Sequence, residues 1–98
     1  MIQRPDRLTA ADAETLATEA LAYLAQDPEH LGRFLALSGI GPSEIRTAAA
    51  EPGFLTGVLE FYLDHEPLLV AFCANRGMRP TLFAAARYAL AGGDGADG

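Results

Sequence analysis

The sequence predicts an all-α fold, a compact bundle of five or six short helices. Half of the 98 residues are apolar, and alanine and leucine dominate that half while β-branched residues are few, as is typical of helical proteins. Apolar residues recur at intervals of three and four, and no segment shows the alternation that indicates a strand. Proline and glycine lie mostly between the periodic segments. A chain of this length forms one domain around a single core.

The first helix is predicted to begin at Thr9. Thr9 and Asp12 match a capping box, in which each side chain accepts a hydrogen bond from a backbone amide that the helix start leaves free. At 100° per residue, one apolar stripe faces inward and consists of Ala13, Leu16, Ala17, Ala20 and Leu24.

Prolines divide the rest of the chain into further helices. Asp27 and Pro28 end the first helix and begin the second, because a residue before proline avoids the helical conformation and proline suits the first helical turn. The apolar stripe of the second helix is Leu31, Phe34, Leu35 and Ser38. A third helix is predicted from about Pro42 to Ala50, and Pro52 breaks the chain again.

These helices are expected to form a single domain at residues 9–91. Residues 1–8 hold Pro5 and no apolar period, which predicts an extended lead-in. Residues 92–98 are glycine, aspartate and one alanine, so a disordered tail is expected. The core is expected to contain large apolar side chains of the periodic segments: Phe34, Leu59, Phe61, Leu69 and Phe72.

Residues 19–50 resemble residues 57–88 at a shift of 38 positions. The order Phe-x-Ala-x-x-Gly-apolar-x-Pro-Ser/Thr recurs without a gap. The repeat predicts a tandem pair of three-helix units, packed about an approximate two-fold axis, while chance similarity between alanine-rich helices is the alternative. The identical pairs are Leu21/Leu59, Leu31/Leu69, Phe34/Phe72, Ala36/Ala74, Gly39/Gly77, Pro42/Pro80 and Ala48/Ala86.

The Gly-Ile-Gly-Pro turn within residues 37–46 has two interpretations. It looks like a helix-hairpin-helix turn, which binds a DNA phosphate through backbone amides, but it also suits a plain corner between two helices. In the second copy, Gly-Met-Arg-Pro, Arg79 replaces the second glycine. Both copies keep a glycine past a helix end, an apolar residue that packs back, and a proline that opens the next helix. We therefore interpret both turns as structural corners.

Composition argues against several classes of partner and location. The formal charge is −6, and the seven basic residues are all arginines that form no cluster in sequence, so nucleic-acid binding is not expected. The longest uncharged apolar stretch, residues 67–74, is too short to span a membrane. A single cysteine, Cys73, and no secretory signal predict a cytoplasmic protein.

No catalytic, cofactor-binding or metal-binding pattern is found. His30 and His65 lack ligands at the close spacing of metal sites, and the neighbours of His65 in sequence, Asp64 and Glu66, point in different directions in a helix break. Cys73 is expected to be a buried apolar residue. We therefore expect a protein without enzymatic activity and without a cofactor or metal.

Three arginines near a predicted helix start form a candidate anion contact: Arg76, Arg79 and Arg87. Exposed amides and guanidinium groups there would act together on a phosphate. Ordinary solvated arginines are the alternative.

Two segments are apolar on nearly every side, residues 54–63 and residues 68–74. Such helices are either central in a bundle or covered by another molecule. We expect central packing, with a possible homodimer as the alternative. Gly57 is expected to permit a close contact between helices. The possible dimer face is Phe54, Val58, Phe61 and Tyr62.

The chain also resembles a known family. The motifs Asp-Pro, Phe-Leu, Gly-Ile-Gly-Pro, a second Phe-Leu and Leu-Leu-Val-Ala-Phe, all within residues 20–73, are similar to those of short, mostly alphaproteobacterial proteins catalogued as a domain of unknown function. The resemblance covers roughly residues 16–90. It implies no activity, cofactor or catalytic residue.

Together these observations predict a small bacterial helical protein that acts as a protein-interaction or regulatory module on an unidentified protein partner. The alternative is a nucleic-acid-binding module that uses the Gly-Ile-Gly-Pro and Gly-Met-Arg-Pro turns.

Overall fold

The computed structural model describes residues 8–90, and helices make up most of them. No strand occurs in this part of the chain, so the all-α prediction is confirmed. Apart from Leu8, the predicted lead-in at 1–8 and the predicted tail at 92–98 lie outside the described residues. The elements are α1 (Ala10–Ala25), α2 (Pro28–Ser38), a 3-10 turn (Pro42–Glu44), α3 (Ile45–Ala48), α4 (Pro52–Leu63), α5 (Glu66–Arg76) and α6 (Thr81–Tyr88).

Helix α1 begins as predicted. The Thr9 hydroxyl accepts a hydrogen bond from the Asp12 amide at 3.0 Å, and the Asp12 carboxylate accepts one from the Thr9 amide at 3.3 Å. A capping box of this kind satisfies two amides that would otherwise lack partners. The predicted inward stripe is buried throughout: Ala13, Leu16, Ala17, Ala20 and Leu24.

The corner between α1 and α2 is held by Asp27. Its carboxylate accepts hydrogen bonds from the amides of Glu29 at 3.1 Å and His30 at 3.4 Å, and Nδ1 of His30 lies 2.7 Å from the second oxygen. The hydrogen bond from the His30 side chain is the main cause that holds the pKa of Asp27 below its ordinary value. The predicted helix boundary at Asp27 and Pro28 is confirmed.

The predicted third helix at residues 42–50 is shorter than expected. The Glu44 amide donates to the Gly41 carbonyl at 2.9 Å, a three-residue step, and the Glu44 carboxylate accepts from the Gly41 amide at 3.2 Å. These bonds hold the first turn in the tighter 3-10 form. Helix α3 has only four residues, because the chain then turns through Ala50 into α4.

The two glycine corners have the backbone geometry that the structural interpretation requires. Gly39 has φ +73° and Gly77 has φ +66°, both in the left-handed region. The amide of Ile40 donates to Leu35 at 3.1 Å, and the amide of Met78 donates to Cys73 at 3.0 Å. The same six-residue closure thus ends α2 and α5, which confirms both corners as helix ends of one type.

Several features repeat at an offset of 38 residues. The bounds of α2, 28–38, fall on those of α5, 66–76, and the last residue of α1 falls on the last residue of α4. The rings of Phe34 and Phe61 meet edge to face at 5.4 Å, as the rings of Phe72 and Tyr23 do at 5.2 Å. The third elements differ, because α3 has four residues and α6 has eight. The halves thus share their first two elements, while tandem duplication stays a prediction.

Helix α4 is the centre of the bundle. It packs against α1, α2, α5 and α6, and Val58, Leu59 and Tyr62 have no exposed surface. Central packing therefore accounts for the apolar excess of this segment. The five residues predicted for the core are all buried: Phe34, Leu59, Phe61, Leu69 and Phe72.

The possible dimer face needs correction. Phe54, Val58, Phe61 and Tyr62 are buried within one chain, because four helices surround α4. These side chains are therefore not an open face, and Val58 and Tyr62 offer no surface to a second copy. Whether the protein forms a homodimer stays a prediction.

Candidate binding groove

A groove of about 570 Å³ opens between α2, the corner that follows it, and α4. We call it the α2–α4 groove. Its volume lies within the range of sites that bind small molecules or parts of a partner. One side chain at its edge, Leu37, is 70% exposed although it is large and apolar. The apolar lining is Phe34, Leu37, Ile40, Ala48, Phe54 and Phe61.

Two glycines of α4 face this groove. No atom lies within 4 Å of the position that a Cβ would take at Gly53 or at Gly57, neighbours within the helix aside. The expectation that Gly57 permits a close contact between helices is therefore wrong, because the space beside it is open. Gly53 and Gly57 are four residues apart and so lie on one face of α4. They leave that face without side chains for one helical turn.

Gly57→Ala is expected to raise the free energy of unfolding by about 0.5–1 kcal/mol, because alanine restricts the unfolded chain and meets no neighbour here. Urea unfolding followed by circular dichroism measures the change. The matched control is Gly77→Ala, which is expected to lower stability because φ is +66°. A loss of stability in Gly57→Ala would mean that the face is packed, contrary to the structure.

The polar lining of the groove is acidic. Glu51, Glu60 and Asp64 contribute carboxylates, and no arginine lines the groove. Glu60, in the last turn of α4, and Asp64, directly after its last residue, lie four positions apart, beyond the two glycines. The Nε of Arg87 lies 3.2 Å from a Glu60 oxygen, and both side chains are about half exposed, so this ion pair contributes little to stability. The groove therefore combines an apolar floor with a negative rim.

His65 closes one end of the groove. Its Nδ1 lies 2.7 Å from the Phe61 carbonyl, to which it donates, and its ring stacks on the Phe61 ring at 4.1 Å. The hydroxyl of Ser38 donates to the Phe34 carbonyl at 2.7 Å. Both groups therefore use their hydrogen bonds to fix helix ends. Among residues 8–90, no group of three or more His, Cys, Asp or Glu is arranged to hold a metal ion.

In the other half of the chain, an ion pair closes the surface that corresponds to the groove. At the offset of 38, Gly57 corresponds to Glu19 and Ser38 corresponds to Arg76. Nη1 of Arg76 lies 2.7 Å from a Glu19 oxygen, and its guanidinium carbon lies 4.9 Å from the centre of the Phe72 ring. Arg76 thus covers Phe72, whereas Phe34, which is also buried, has no ion pair at the matching positions, Ser38 and Gly57. This difference is what opens the groove on one side.

The three arginines of the candidate anion contact have different surroundings. Arg76 pairs with Glu19, Arg87 pairs with Glu60, and Arg79 is exposed on the corner before α6. Carboxylates therefore neutralise two of the three charges, and the anion contact stays a prediction. Cys73 is buried as expected, and burial raises the pKa of its thiol.

The groove was not predicted from sequence. The signal that marks it is the series Gly53, Gly57, Glu60 and Asp64, which puts glycines and then carboxylates on one face of a single helix. This pattern indicates a groove only once the position of α2 is known, because many helices carry glycines and carboxylates on the side that faces solvent.

Comparison with known proteins identifies one family. Residues 10–93 match the family described as "Protein of unknown function (DUF3572)", which confirms the resemblance to a domain of unknown function over nearly the whole chain. Neither the curated proteins nor the solved structures include a match. Among the described residues, no helix is long and apolar enough to cross a membrane.

Proposed function

We propose that this chain, which belongs to the DUF3572 family of proteins of unknown function, is a non-enzymatic interaction module of the bacterial cytoplasm. It binds a segment of a partner protein in the α2–α4 groove. The observation that carries the proposal is the uncovered groove itself: Arg76 and Glu19 close one half of the bundle, and the matching positions of the other half stay open.

The lining of the groove supports binding by contact rather than catalysis. Buried apolar side chains form its floor, and Leu37 at its edge is exposed, which offers an apolar contact to a partner. Its hydroxyl, on Ser38, and its imidazole, on His65, already hydrogen-bond to backbone carbonyls of their own helices. A nucleophile and a base in mutual contact, which hydrolytic enzymes require, are not assembled from these two groups.

Nucleic-acid binding through the two glycine corners receives less support. Gly39 and Gly77 end their helices with the same backbone geometry. The second glycine that the hairpin motif uses is present only in the first copy, so this shared geometry does not depend on the motif. Three carboxylates line the groove next to the first corner and would repel phosphates. If the protein does not change the mobility of duplex DNA at low salt, this alternative is wrong.

A groove-closing variant tests the proposal. Ser38→Arg combined with Gly57→Glu places in the groove the pair that Arg76 and Glu19 form in the other half. It is expected to fold and to lose the partner. The control, Glu19→Gly with Arg76→Ser, removes the ion pair outside the groove and is expected to keep the partner.

Partner binding is measured by cross-linking in the native host, with a photoreactive amino acid at Leu37 in each variant and at exposed Val70 as the position control. We expect an adduct from Leu37 in the wild type and in the control pair, and none in the groove-closing variant. If the groove-closing variant yields the same adduct, or if Leu37 and Val70 yield the same products, the proposed function is wrong.

A further inference from the structure

We infer that the segment bound in the α2–α4 groove is helix α2 of a second copy of this chain, so that two copies exchange Leu37 across a two-fold axis. This inference rests on the proposed function and names the partner. It is carried by three observations: an exposed leucine beside open space, the direction of α2 relative to α4, and the charges that this direction brings together.

The exposed leucine is Leu37, at the edge of the groove, which is 70% exposed. Across the groove, no atom lies within 4 Å of the position that a Cβ would take at Gly53 or Gly57, neighbours within the helix aside. A leucine from outside the chain can enter this space without displacing a side chain, and its burial removes apolar surface from water. Each copy offers both the leucine and the space, so a two-fold arrangement makes the contact twice.

This contact does not require access to the buried rings of the groove. Phe34 is 2% exposed and already packs edge to face on Phe54 and Phe61. The incoming leucine lies against the two glycines of α4, and these rings keep their contacts. The core of each copy is therefore unchanged in the dimer.

Helices α2 and α4 run in opposite directions within one chain. His30, near the start of α2, and Pro67, shortly after the end of α4, line the same cavity of about 360 Å³. A two-fold axis along these helices keeps the direction of α2, so α2 of the second copy also runs opposite to the α4 that it covers. When Leu37 is level with Gly57, the residues before Leu37 lie beside the residues after Gly57.

This direction brings opposite charges together. Arg33 is exposed and lies one turn before Leu37, on the same side of α2. It comes level with the end of α4, between Glu60 and Asp64. Among residues 8–90, neither Arg33 nor Asp64 belongs to an ion pair, whereas Glu60 is paired with Arg87. Arg33 of each copy is therefore expected to pair with Asp64 of the other.

The charges also limit the other ways in which two copies could meet. If α4 faced α4 of the second copy, the carboxylates of Glu60 and Asp64 would face each other. Each chain has a formal charge of −6, so contact between copies is favoured where an arginine lies opposite a carboxylate. One helical row against another is a small interface, below the standard size of about 1,200 Å² or more. We therefore expect a weak dimer, with a dissociation constant on the order of 10 μM.

Sedimentation equilibrium of the full-length protein over a range of concentrations measures this dissociation constant. Leu37→Asp is expected to weaken the dimer at least about tenfold, because two leucines lose their contacts and two carboxylates enter the grooves. The matched control is Val70→Asp, which alters another exposed apolar side chain, on α5, and is expected to leave the dissociation constant unchanged. Both side chains are exposed in one chain, so both variants are expected to fold.

Two charge variants test the partner and the direction together. Arg33→Asp alone and Asp64→Arg alone are each expected to weaken the dimer at least about tenfold, since each puts like charges opposite one another twice. An equal mixture of the two variants is expected to dimerise about as the wild type does, because each arginine in the mixed pair again faces an aspartate. Such a recovery requires two different chains, so no contact within one chain explains it.

The other outcomes separate this inference from the proposed function. If the wild type stays monomeric at high concentration, if Leu37→Asp dimerises as the wild type does, or if the mixture does not recover, the inferred second copy is wrong. The proposed function still stands when the cross-linker at Leu37 captures a different protein and the groove-closing variant does not. If that variant keeps the adduct, the proposed function is wrong as well.

Discussion

Phe72→Ala is expected to lower the free energy of unfolding by about 3–5 kcal/mol, a large part of what a domain of this size has. The Phe72 side chain has no exposed surface. Its ring meets those of Tyr23, Tyr62 and Phe83 at 5.2–5.6 Å, and Arg76 covers one face. Alanine would leave a cavity enclosed on every side, which neighbouring helices fill poorly. Urea unfolding of the purified variant measures the loss.

Phe34→Ala is the matched control, because Phe34 occupies the corresponding position in the other half. Its ring is also buried and contacts Phe54 and Phe61 at 5.6 and 5.4 Å. One side of it borders the groove, so water or a moved side chain can enter the space. We expect a loss nearer 3 kcal/mol, against nearer 5 kcal/mol for Phe72. Equal losses would contradict the description of one half as closed and the other as open.

Features set by neighbours in sequence were predictable. The capping box of Thr9 and Asp12, the α1–α2 boundary at Asp27 and Pro28, and the glycine end of α2 at Gly39 all depend on contacts within a few residues. Backbone hydrogen bonding and φ preferences act at that range, so the residue types alone determine the outcome. The buried stripe of α1 followed in the same way from the helical period.

The short third helix and the open space beside Gly57 were not predicted, the first because of a side-chain hydrogen bond within the segment and the second because the position of another helix decides it. Residues 42–50 contain good helix formers, yet the Gly41 amide donates to the Glu44 carboxylate, which holds the first turn in the tighter 3-10 form and leaves α3 with four residues. A glycine within a helix indicates either a close neighbour or open space, and the two differ only by the position of another helix. For Gly57, no atom outside its own stretch of helix lies within 4 Å of the position that a Cβ would take.

The groove lies where the two halves of the chain differ, and a search for matching residues does not show such differences. Matching residues at an offset of 38 emphasises what the halves share, such as Phe34 and Phe72. The functional candidate lies where they differ, at Ser38 and Gly57 against Arg76 and Glu19. Arg76 and Glu19 are 57 residues apart in sequence, and no local pattern indicates that they meet. If the halves arose by duplication, one copy carries this ion pair and the other does not.

The second large effect is expected in alkaline solution and is caused by Tyr62. This side chain has no exposed surface, and its hydroxyl donates to the Ala20 carbonyl at 2.8 Å, which links α4 to α1. Burial raises the pKa of Tyr62 well above its ordinary value of 10.0, and the neighbouring Tyr23 adds to this effect. In the unfolded chain the hydroxyl ionises normally. The contribution of Tyr62 is therefore complete below pH 10 and declines as the pH rises toward the folded value.

Above pH 10 this group alone is expected to lower the free energy of unfolding by about 1.4 kcal/mol per pH unit, because the unfolded state loses a proton that the native state keeps. The chain contains no lysine, so no ammonium group titrates in the same range. Burial also raises the pKa of Cys73 from its ordinary 9.0, so stability is compared in a Cys73→Ala background.

In that background, Tyr62→Phe is expected to cost about 1 kcal/mol at pH 7, through the lost hydrogen bond to Ala20, and to make stability nearly independent of pH between 10 and 11. Tyr88→Phe is the control, since Tyr88 is 69% exposed and should leave the alkaline decline unchanged. Urea unfolding at a series of pH values gives each slope. Because phenylalanine keeps the ring contacts with Phe72 and Phe83, any change in slope reports the hydroxyl alone. An equally steep decline in Tyr62→Phe would show that another group ionises as the protein unfolds, and the buried hydroxyl would not be the cause.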